Sequence, residues 1–592
     1  MRMTGVVPRR GSNAGAVSVV IEGRGDRPTV AVHGWAEDRA PSIASSDPAG
    51  ARVRVSDGII VVGRISVGSD RTTNGVLALL RRSARTRDWR ALRALDGEYT
   101  VWFVDGERGE ISVLRDLCGT RASYMSESGD AIHLSSTLAD AVRSAGSAIR
   151  VSEPLLLGFL IRGAVHHVDE TLFLGAKSCP PAALTRVSAD GVETTAIVSG
   201  EELGPDHTSP RQQLRRTVRE LLDESVRRRT DEIATAGVAL SGGLDSSTLA
   251  TVARGVRPVT VGAGLRLIGL TLENKRVPTE VEFAASLARS LGAEHRVLRY
   301  EGADFWRAFP RIQELSEWPM HTIGVYHHWK TAEEAAAAGC QTLFDGNGAD
   351  ALFFGGRRAF YTHVYGSLRS GRVIDGMRAA YGYWRNYGRT VRKDVFKYMR
   401  KTDHVGSGRT MWDLLTREWR EGVGRNLARQ GFIADLRATV LEHVVRGPAF
   451  SNGTMSGDQH GVAVSFPFCS PELFEYCVRL PAKERFAGSL PKSLLREAIE
   501  DLPPEIRWSN VKAGSNDADS RGTLRAAGPE LMEGVLASDS LLAPYLDREI
   551  IRAEMAAWWK VEPSISSIDV FRLVSADAFL RSVRERASAA RS

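Results

Sequence analysis

The residues best suited to do chemistry lie in segment 241–247, which reads Ser-Gly-Gly-Leu-Asp-Ser-Ser. The segment follows an apolar run at 237–240 and precedes a stretch of helical pattern, so its N–H groups would lie at the positive end of a helix. Glycines let the backbone approach an anion, and serines add hydroxyl donors. The alternative is a turn that only caps the helix. The pattern predicts a phosphate-binding loop made of Ser241, Gly242, Gly243, Leu244, Asp245, Ser246 and Ser247.

Asp245 adds a requirement to this loop because a carboxylate beside a phosphate repels it unless a cation lies between them. Magnesium is the usual cation, since it takes one or two carboxylates together with phosphate oxygens. The loop is neither a Walker A loop nor a GxGxxG loop, because the spacing of both patterns is absent. Asp245 is therefore predicted to be a magnesium ligand.

Segment 343–353, Leu-Phe-Asp-Gly-Asn-Gly-Ala-Asp-Ala-Leu-Phe, carries a second aspartate after a strand pattern and a glycine-rich turn. It resembles the motif LSGEGADELFGG of the asparagine synthetase family, and 241–247 resembles that family's pyrophosphatase-type loop. The family uses ATP to activate a carboxylate, which attacks the α-phosphorus and releases pyrophosphate. The resemblance implies ATP and Mg²⁺ as cofactors, with Asp350 sharing the metal with Asp245. It also implies nucleotide contacts from Gly346, Asn347 and Gly348.

Three further segments extend the resemblance. Leu270 and Thr271 end a strand pattern at the place where the family's backbone holds adenine. Lys492 begins a segment similar to the family's K..LR.A, and Lys512 belongs to one similar to R...K.GF. The resemblance implies that Lys492 contacts phosphate and that Lys512 stabilises the charge that develops when the amine attacks. The alternative for both is an ordinary exposed lysine.

The elements that must position these residues differ between two parts of the chain. Up to about residue 200, short Val/Ile-rich runs predict strands with few helices. From 210 onward, strand and helix patterns alternate, which predicts a doubly wound parallel sheet, and beyond about 360 the pattern is mainly helical. The predicted fold class is α/β, with a β-rich α+β domain at 1–205 and a second domain at 206–592 that has a helical C-terminal part, after a polar linker at 199–210. The family resemblance implies that the first is a glutaminase-like (Ntn-type) sandwich and the second an ATP-pyrophosphatase domain.

The glutaminase resemblance rests on weaker motifs, at 95–99, 115–124 and 134–136. That family's glutaminase uses an N-terminal cysteine as its nucleophile. Here residue 2 is Arg2 and the first cysteine is Cys118, so we expect no glutamine hydrolysis. The domain would then be structural or bind a substrate or partner, and the amine must come from elsewhere.

Within the family, the sequence is most similar to lasso peptide cyclases, which join an Asp or Glu side chain of a precursor peptide to its N-terminal amine. Asn347 stands where asparagine synthetases have glutamate, and an amide cannot act as a general base. Charged family positions are also replaced at Ala351, Ala463, Ser465 and Ser470, and an aromatic- and Arg-rich region spans 360–450. The implied substrate is a ribosomal peptide precursor, with a leader peptidase and a leader-recognition protein as partners.

Other functions remain open from the residues alone. A β-lactam synthetase-like ligase and an ammonia-dependent asparagine synthetase would use the same nucleotide site. An inactive copy could serve as a peptide-binding scaffold, although it would have no chemical need for Asp245, Asp350 and Lys512.

Composition sets the broad class. Five scattered cysteines among 592 residues argue against a zinc site or a disulfide framework and favour a reducing cytoplasm. No apolar run approaches the ~18 residues of a membrane helix, and the N-terminus makes a poor signal peptide. The formal net charge is +7, but no motif supports nucleic-acid binding. We therefore expect a cytoplasmic enzyme with neither a membrane span nor a nucleic-acid partner.

Overall fold

The structure is a computed structural model that describes most of the chain beyond residue 73 and parts of the preceding segment. The described residues are 2–8, 18–22, 30–33, 43–45, 53–56, 58–67, 73–129, 131–146, 149–163, 169–198, 207–231, 233–256, 264–273, 278–354, 360, 363–364, 366–368, 370–387, 411–420, 448–485, 490–509, 517–527, 531–560 and 565–589.

The N-terminal part contains two antiparallel sheets. The strands are β1 (Arg2–Pro8), β2 (Ser18–Glu22), β3 (Val30–His33), β4 (Ile43–Ser45), β5 (Val53–Ser56), β6 (Ile59–Val67), β7 (Leu95–Asp105), β8 (Glu110–Arg115), β9 (Tyr124–Ser128), β10 (Ala131–Ser135), β11 (Ala176–Ser178), β12 (Ala183–Ser188) and β13 (Gly191–Ala196). One sheet has the order β11-β9-β10-β1-β2-β3 and the other β13-β12-β8-β7-β6-β5-β4. Apolar residues from both sheets, including Met3, Trp102 and Ile132, pack in one cluster between them.

The third sheet is parallel and has the order β16-β15-β14-β17-β18. Its strands are β14 (Thr235–Ala239), β15 (Arg266–Leu272), β16 (Glu294–Leu298), β17 (Thr342–Phe344) and β18 (Ala463–Ser465). The chain runs from β14 outward to β16 and then returns to β17 on the other side of β14. Such a reversal opens a crevice at the carboxyl ends of the two central strands, where ligands of open α/β sheets bind.

Helices occur in both parts of the chain: a few belong to the N-terminal part, and the others flank the parallel sheet and form the C-terminal part. Among the described residues they are α1 (Thr73–Thr86), α2 (Leu138–Ser144), α3 (Glu153–Arg162), α4 (Arg211–Thr230), α5 (Leu244–Gly255), α6 (Pro278–Ser290), α7 (Gly302–Leu315), α8 (Gly324–Ala337), α9 (Ala349–Leu352), α10 (Val373–Tyr387), α11 (Pro448–His460), α12 (Pro471–Val478), α13 (Ala482–Arg485), α14 (Ser493–Ala498), α15 (Pro504–Arg507), α16 (Asp517–Ala527), α17 (Leu531–Leu536), α18 (Arg548–Lys560) and α19 (Ser567–Ala589). Single 3₁₀ turns cover Trp89–Ala94, Met411–Leu414, Pro467–Cys469 and Ala543–Tyr545.

The hydrophobic cores cross the predicted domain boundary. One core cluster joins Leu156 and Phe173 of the N-terminal part to Phe305, Phe571 and other residues of the C-terminal helices. Helix α19 contacts both α2 and α3. The two parts of the chain therefore fold against each other over a continuous apolar interior.

The predicted mixed α/β fold with a parallel sheet and flanking helices is confirmed. The boundary predicted at 205/206 lies outside the described residues, so it stays a prediction. None of the helices that the structure describes is both long enough and apolar enough to cross a membrane.

Candidate active site

The predicted phosphate loop connects β14 to α5 at the reversal point of the parallel sheet. Gly242 has a φ of +72°, and a Cβ at this position would lie 2.2 Å from the carbonyl oxygen of Glu280. Only glycine fits here, because other residues avoid this positive φ and because the backbone of Glu280 fills the space that a side chain would need. The chain therefore turns sharply here before α5 begins at Leu244, which directs the free N–H groups of the helix toward the loop.

Hydrogen bonds to the serine hydroxyls stabilise the conformation of the loop. The Ser241 N–H donates to Ser246 Oγ at 3.1 Å, and the two hydroxyls lie 3.1 Å apart. Gly243 N–H donates to Ser241 Oγ at 3.3 Å. Ser247 is fully buried, and its Oγ has no hydrogen-bond partner within the described part of the chain. A loop held in this way is already shaped for a phosphate, so little conformational entropy is lost on binding.

Lys492 brings the two predicted metal-ligand carboxylates together. Its Nζ lies 2.6 Å from Asp245 Oδ1 and 2.8 Å from Asp350 Oδ1. Burial disfavours the charge of Lys492, but the two aspartates outweigh it and raise the pKa above its ordinary value. The ammonium thus occupies the position between two carboxylates where a cation would be expected.

The backbone of Lys492 is itself constrained. The residue has φ 59° and ψ 30°, a left-handed conformation that costs a non-glycine residue about 1–3 kcal/mol. Arg496 supports the preceding turn by donating to the carbonyl of Pro491 at 2.9 Å and also bonds the carbonyl of Arg507. This conformation and its support direct a buried lysine toward the phosphate loop.

A second loop, between β17 and α9, packs against the first. A Cβ on Gly346 would lie 3.1 Å from the Cβ of Asp245 and 3.2 Å from the N of Ser246. Asp345 accepts a hydrogen bond from Asn347 N–H at 2.8 Å, and its own N–H donates to the carbonyl of Ser465 at 3.0 Å. The loop that carries Asp350 is therefore held close to the loop that carries Asp245.

The two loops border a cavity of about 330 Å³. Its lining includes acidic groups, two histidines and the ends of the central strands. The lining residues are Ala239, Leu240, Ser241, Asp245, Ser246, Leu270, Leu272, Glu273, Glu280, His327, His328, Thr331, Leu343, Asp345, Gly346, Asn347, Gly348, Asp350, Gly453 and Val464. A volume of this size is that of a small-molecule site.

The two histidines differ in electrostatics although they are adjacent on α8. His328 Nδ1 lies 3.0 Å from Asp345 Oδ2; burial lowers its pKa, but the carboxylate outweighs burial and raises it above the ordinary value. Burial and the neighbouring His328 lower the pKa of His327 to about 4, and its Nε2 lies 3.1 Å from the hydroxyl of Tyr300. At neutral pH, His328 is the more basic of the two.

At the predicted adenine edge, Leu270 lines the cavity while Thr271 is buried. The carbonyl of Leu270 accepts from Leu240 N–H at 2.8 Å, and Thr271 Oγ1 donates to the carbonyl of Leu240 at 2.6 Å. These bonds fix β15 against the start of the phosphate loop. Thr271 therefore helps to position the loop, with its hydroxyl turned into the structure.

These residues fit a magnesium–nucleotide ligand. Gly242 lets the loop turn tightly against the backbone of Glu280, Ser247 carries an unused buried hydroxyl, and two carboxylates converge on Lys492 beside the loop. Within the described residues no group of three or more His, Cys, Asp or Glu forms a metal site. A magnesium ion held here would take Asp245 and Asp350, with phosphate oxygens supplying the rest of its shell.

Most predicted site residues converge on this cavity or its border. Lys512 is the exception, because it lies outside the described residues. The cavity residues that can carry a charge and were not among the predicted site residues are Glu273, Glu280, His327, His328 and Asp345. Two sequence features could have indicated some of them. Asp345 directly precedes the predicted Gly346, and His327 and His328 are adjacent in a chain with only 13 histidines.

The replaced charged positions were expected to reflect a larger or different substrate, and this stays a prediction. Ala463, Ser465 and Ser470 do not line the cavity. Ser465 is fully buried, and its hydroxyl lies 2.9 Å from Arg229 Nε and 2.8 Å from Glu98 Oε1. These contacts join the parallel sheet to the N-terminal part, so at Ser465 the change concerns packing.

Comparisons with known proteins match a family model to the part of the chain that carries this site. The family model described as asparagine synthase matches residues 217–581. Three mycobacterial proteins that carry the provisional name asparagine synthetase (glutamine-hydrolysing), from Mycobacterium bovis and two strains of Mycobacterium tuberculosis, are 25% identical over 320 residues. The match covers 50% of this chain and 46% of each relative, so the chain spans about half the length of the curated relatives it matches.

Similar solved structures include a glutamine phosphoribosylpyrophosphate amidotransferase from B. subtilis, with 14% identity, 50% of this chain and 75% of that chain covered, and a TM-score of 0.17. A tRNA thiolase from Methanococcus maripaludis has 15% identity, covers 40% of this chain and 79% of its own, and has a TM-score of 0.20. TM-scores this low support no inference about this chain.

Proposed function

The chain belongs to the asparagine synthase family, and from that premise we propose that it is an ATP-dependent ligase that forms an amide through an acyl-adenylate. Family membership implies ATP use. The observation that carries the proposal is the convergence of Asp245 and Asp350 on Lys492 beside the phosphate loop. Mg²⁺ bound there would neutralise the pyrophosphate that leaves.

The residues of the chain have distinct tasks in this reaction. The N–H groups at the start of α5 and the serine hydroxyls bind phosphate. Lys492 adds a positive charge next to the phosphates, and Lys512 is proposed to stabilise the charge on the carbonyl oxygen. The cavity holds the carboxylate and the amine together, which replaces a bimolecular encounter by an intramolecular one.

We further propose that the substrate is a peptide, cyclised as in lasso peptides through an Asp or Glu side chain and the N-terminal amine. The cavity carries Glu273, Glu280 and Asp345 in addition to Asp245 and Asp350. Free aspartate would bring two carboxylates and only one ammonium group, a net negative charge, into these acidic surroundings. A peptide brings one side-chain carboxylate together with a terminal ammonium group, which the surroundings attract.

Helix α10 supports a peptide substrate through its exposed apolar side chains. Ile374, Met377, Tyr381 and Trp384 are each more than half exposed and lie at helical spacing. Exposed aromatic and aliphatic stripes of this kind are typical of surfaces that bind peptides. The partners that follow from this proposal are a peptide precursor, a leader peptidase and a leader-recognition protein, acting in the cytoplasm.

The test is pyrophosphate release with ATP and Mg²⁺. Synthetic peptides with a free N-terminus and an Asp or Glu at successive positions are compared with free aspartate plus ammonia. Release with a peptide, and loss of one water from its mass, supports a macrocyclase. Release with aspartate supports asparagine synthesis, and no release by either would contradict an acyl-adenylate ligase for these substrates. Asp245→Asn is the control and should lower release at least about 100-fold.

A further inference from the structure

His328 and Asp345 form a side-chain pair in the cavity that the steps above leave without a role. Both residues line the cavity, and His328 Nδ1 lies 3.0 Å from Asp345 Oδ2. We propose that His328, oriented by Asp345, accepts the proton that the amine loses when it attacks the acyl-adenylate. This inference rests on the proposed ligase function and assigns the base for its second step.

The position of Asp345 is fixed from three directions. Its N–H donates to the carbonyl of Ser465, one carboxylate oxygen accepts from Asn347 N–H, and the other faces His328. A carboxylate on Nδ1 selects the tautomer with the proton on that nitrogen, which leaves Nε2 as the nitrogen able to accept. Asp345 is therefore a positioning residue for His328.

The pair lies close to where the adenylate would form. Gly346, next to Asp345, packs directly against Asp245 and Ser246 of the phosphate loop. His328 is thus bound to a residue adjacent to the contact between the two loops. A base in this place is beside the phosphates, where the acyl group is activated and the amine must arrive.

Other cavity residues are less suited to the task. Asp245 and Asp350 are ion-paired to Lys492, and Glu273 is paired with Arg299 at 2.8 Å. The pKa of His327 is lowered to about 4, which makes it a weak base at neutral pH. Asn347, where the family has glutamate, has no basic atom. A histidine made more basic by a carboxylate has a pKa nearer to that of an amine.

The step balances as follows. The terminal ammonium first loses one proton to water, because an α-amino group has a pKa of about 7.7–8.0. The lone pair of the amine nitrogen then forms the C–N bond to the acyl carbon, and the bond from that carbon to the phosphate oxygen breaks. AMP leaves with this electron pair. The surplus proton of the nitrogen moves to His328 Nε2 and from there to water.

The experiment separates the two half-reactions in wild type, His328→Gln and His460→Gln. Peptide-dependent exchange of pyrophosphate into ATP reports adenylation, and mass spectrometry reports the amide. Hydroxylamine is a small, strongly nucleophilic amine that enters with water, so it traps the adenylate by losing its surplus proton to solvent and does not need His328. His460 packs against Trp329, the neighbour of His328 on α8, with ring centroids 4.6 Å apart. It is absent from the cavity lining, so it is the matched control.

For His328→Gln we expect exchange within about threefold of wild type, hydroxamate formation retained, and amide formation reduced about 10²–10⁴-fold. His460→Gln should keep both steps. Unchanged amide formation, or an equal fall in exchange and amide formation, would overturn the inference. If His328→Gln fails to fold, Asp345→Asn replaces it and should show the same selective loss. Absence of exchange in wild type would instead refute the ligase function on which the inference depends.

Discussion

Lys492 occupies a cation position between two carboxylates, and this has a consequence for metal binding. As long as the ammonium contacts Asp245 and Asp350, a magnesium ion must compete with it. Phosphate oxygens change this competition for the two carboxylates, because they attract both the lysine ammonium and the metal. We therefore expect the protein to bind Mg²⁺ together with the nucleotide, and only weakly without it.

Lys492→Met tests this competition. Removing the ammonium leaves the two carboxylates to repel each other, so we expect the free energy of unfolding to fall by about 1–3 kcal/mol. Added MgCl₂ without nucleotide should then raise the Tm of the variant more than that of wild type, because a ligand that binds only the folded state stabilises it. Thermal unfolding over a series of MgCl₂ concentrations measures both effects.

Lys330→Met is the matched control for this prediction. Lys330 also pairs with two carboxylates, Glu333 at 2.7 Å and Glu334 at 3.1 Å, but it lies outside the cavity lining. We expect a stability change below about 1 kcal/mol and no new response to magnesium. Equal magnesium shifts in wild type and Lys492→Met would contradict competition at this position.

At the scale of single residues, the sequence predicted those whose proposed role depends on local spacing. Asp245 and Asp350 each lie in a short motif that can be interpreted without tertiary structure. The contact of Lys492 with Asp245 spans 247 positions, and the pairing of His328 with Asp345 requires α8 to pack beside β17. Neither arrangement is encoded in local spacing, so only the fold revealed them.

In the strand–loop–helix unit at 235–255, the conformation of the loop depends on Gly242 more than on Gly243. Gly242→Ala would place a methyl group 2.2 Å from the carbonyl oxygen of Glu280 in a left-handed conformation. We expect this variant to lose about 1–3 kcal/mol of stability and at least tenfold in ATP affinity, because the loop must move. Denaturant unfolding and equilibrium binding of ATP with Mg²⁺ measure the two losses.

Gly243→Ala differs in both respects and provides the comparison. Its φ is −78°, and a Cβ there would meet only the Ser241 hydroxyl, at 3.3 Å. The methyl group should therefore be accommodated by a small shift of one side chain, with stability within about 1 kcal/mol of wild type. If both variants lose ATP equally, the special role of Gly242 is wrong.

Elements were predicted to the extent that periodicity specified them. The apolar run at 237–240 corresponds to β14, and the strand pattern that ends at Leu270 and Thr271 corresponds to β15. The strand and helix alternation predicted from 210 onward begins with α4 (Arg211–Thr230). The pairing of β18 with β17 was not predicted, since the two strands lie more than 110 residues apart. Strand order across such a separation follows from packing, which a local pattern does not contain.

At the scale of the whole molecule, a buried charge network joins the N-terminal sheets to the part of the chain that carries the parallel sheet. Arg229 on α4 bonds Asp96 Oδ1 at 2.8 Å, and Glu98 on β7 accepts from Ser465 Oγ and Phe466 N–H. Asp345, which orients His328, donates its N–H to the carbonyl of Ser465. The N-terminal part therefore supports the cavity through β18, a structural task that does not depend on glutamine hydrolysis.

Arg229→Met tests whether this network makes the chain one cooperative unit. The substitution leaves Glu98 and Asp96 buried with fewer partners, and breaking a buried ion pair from one side costs about 3–5 kcal/mol. Because the apolar cores are shared, we expect one guanidinium unfolding transition shifted as a whole, followed by both tryptophan fluorescence and circular dichroism. Arg108→Met, which removes the exposed pair with Asp105, should change stability by less than about 0.5 kcal/mol. Two separate transitions, with only one shifted by Arg229→Met, would mean that the N-terminal part folds independently and does not hold the cavity in place.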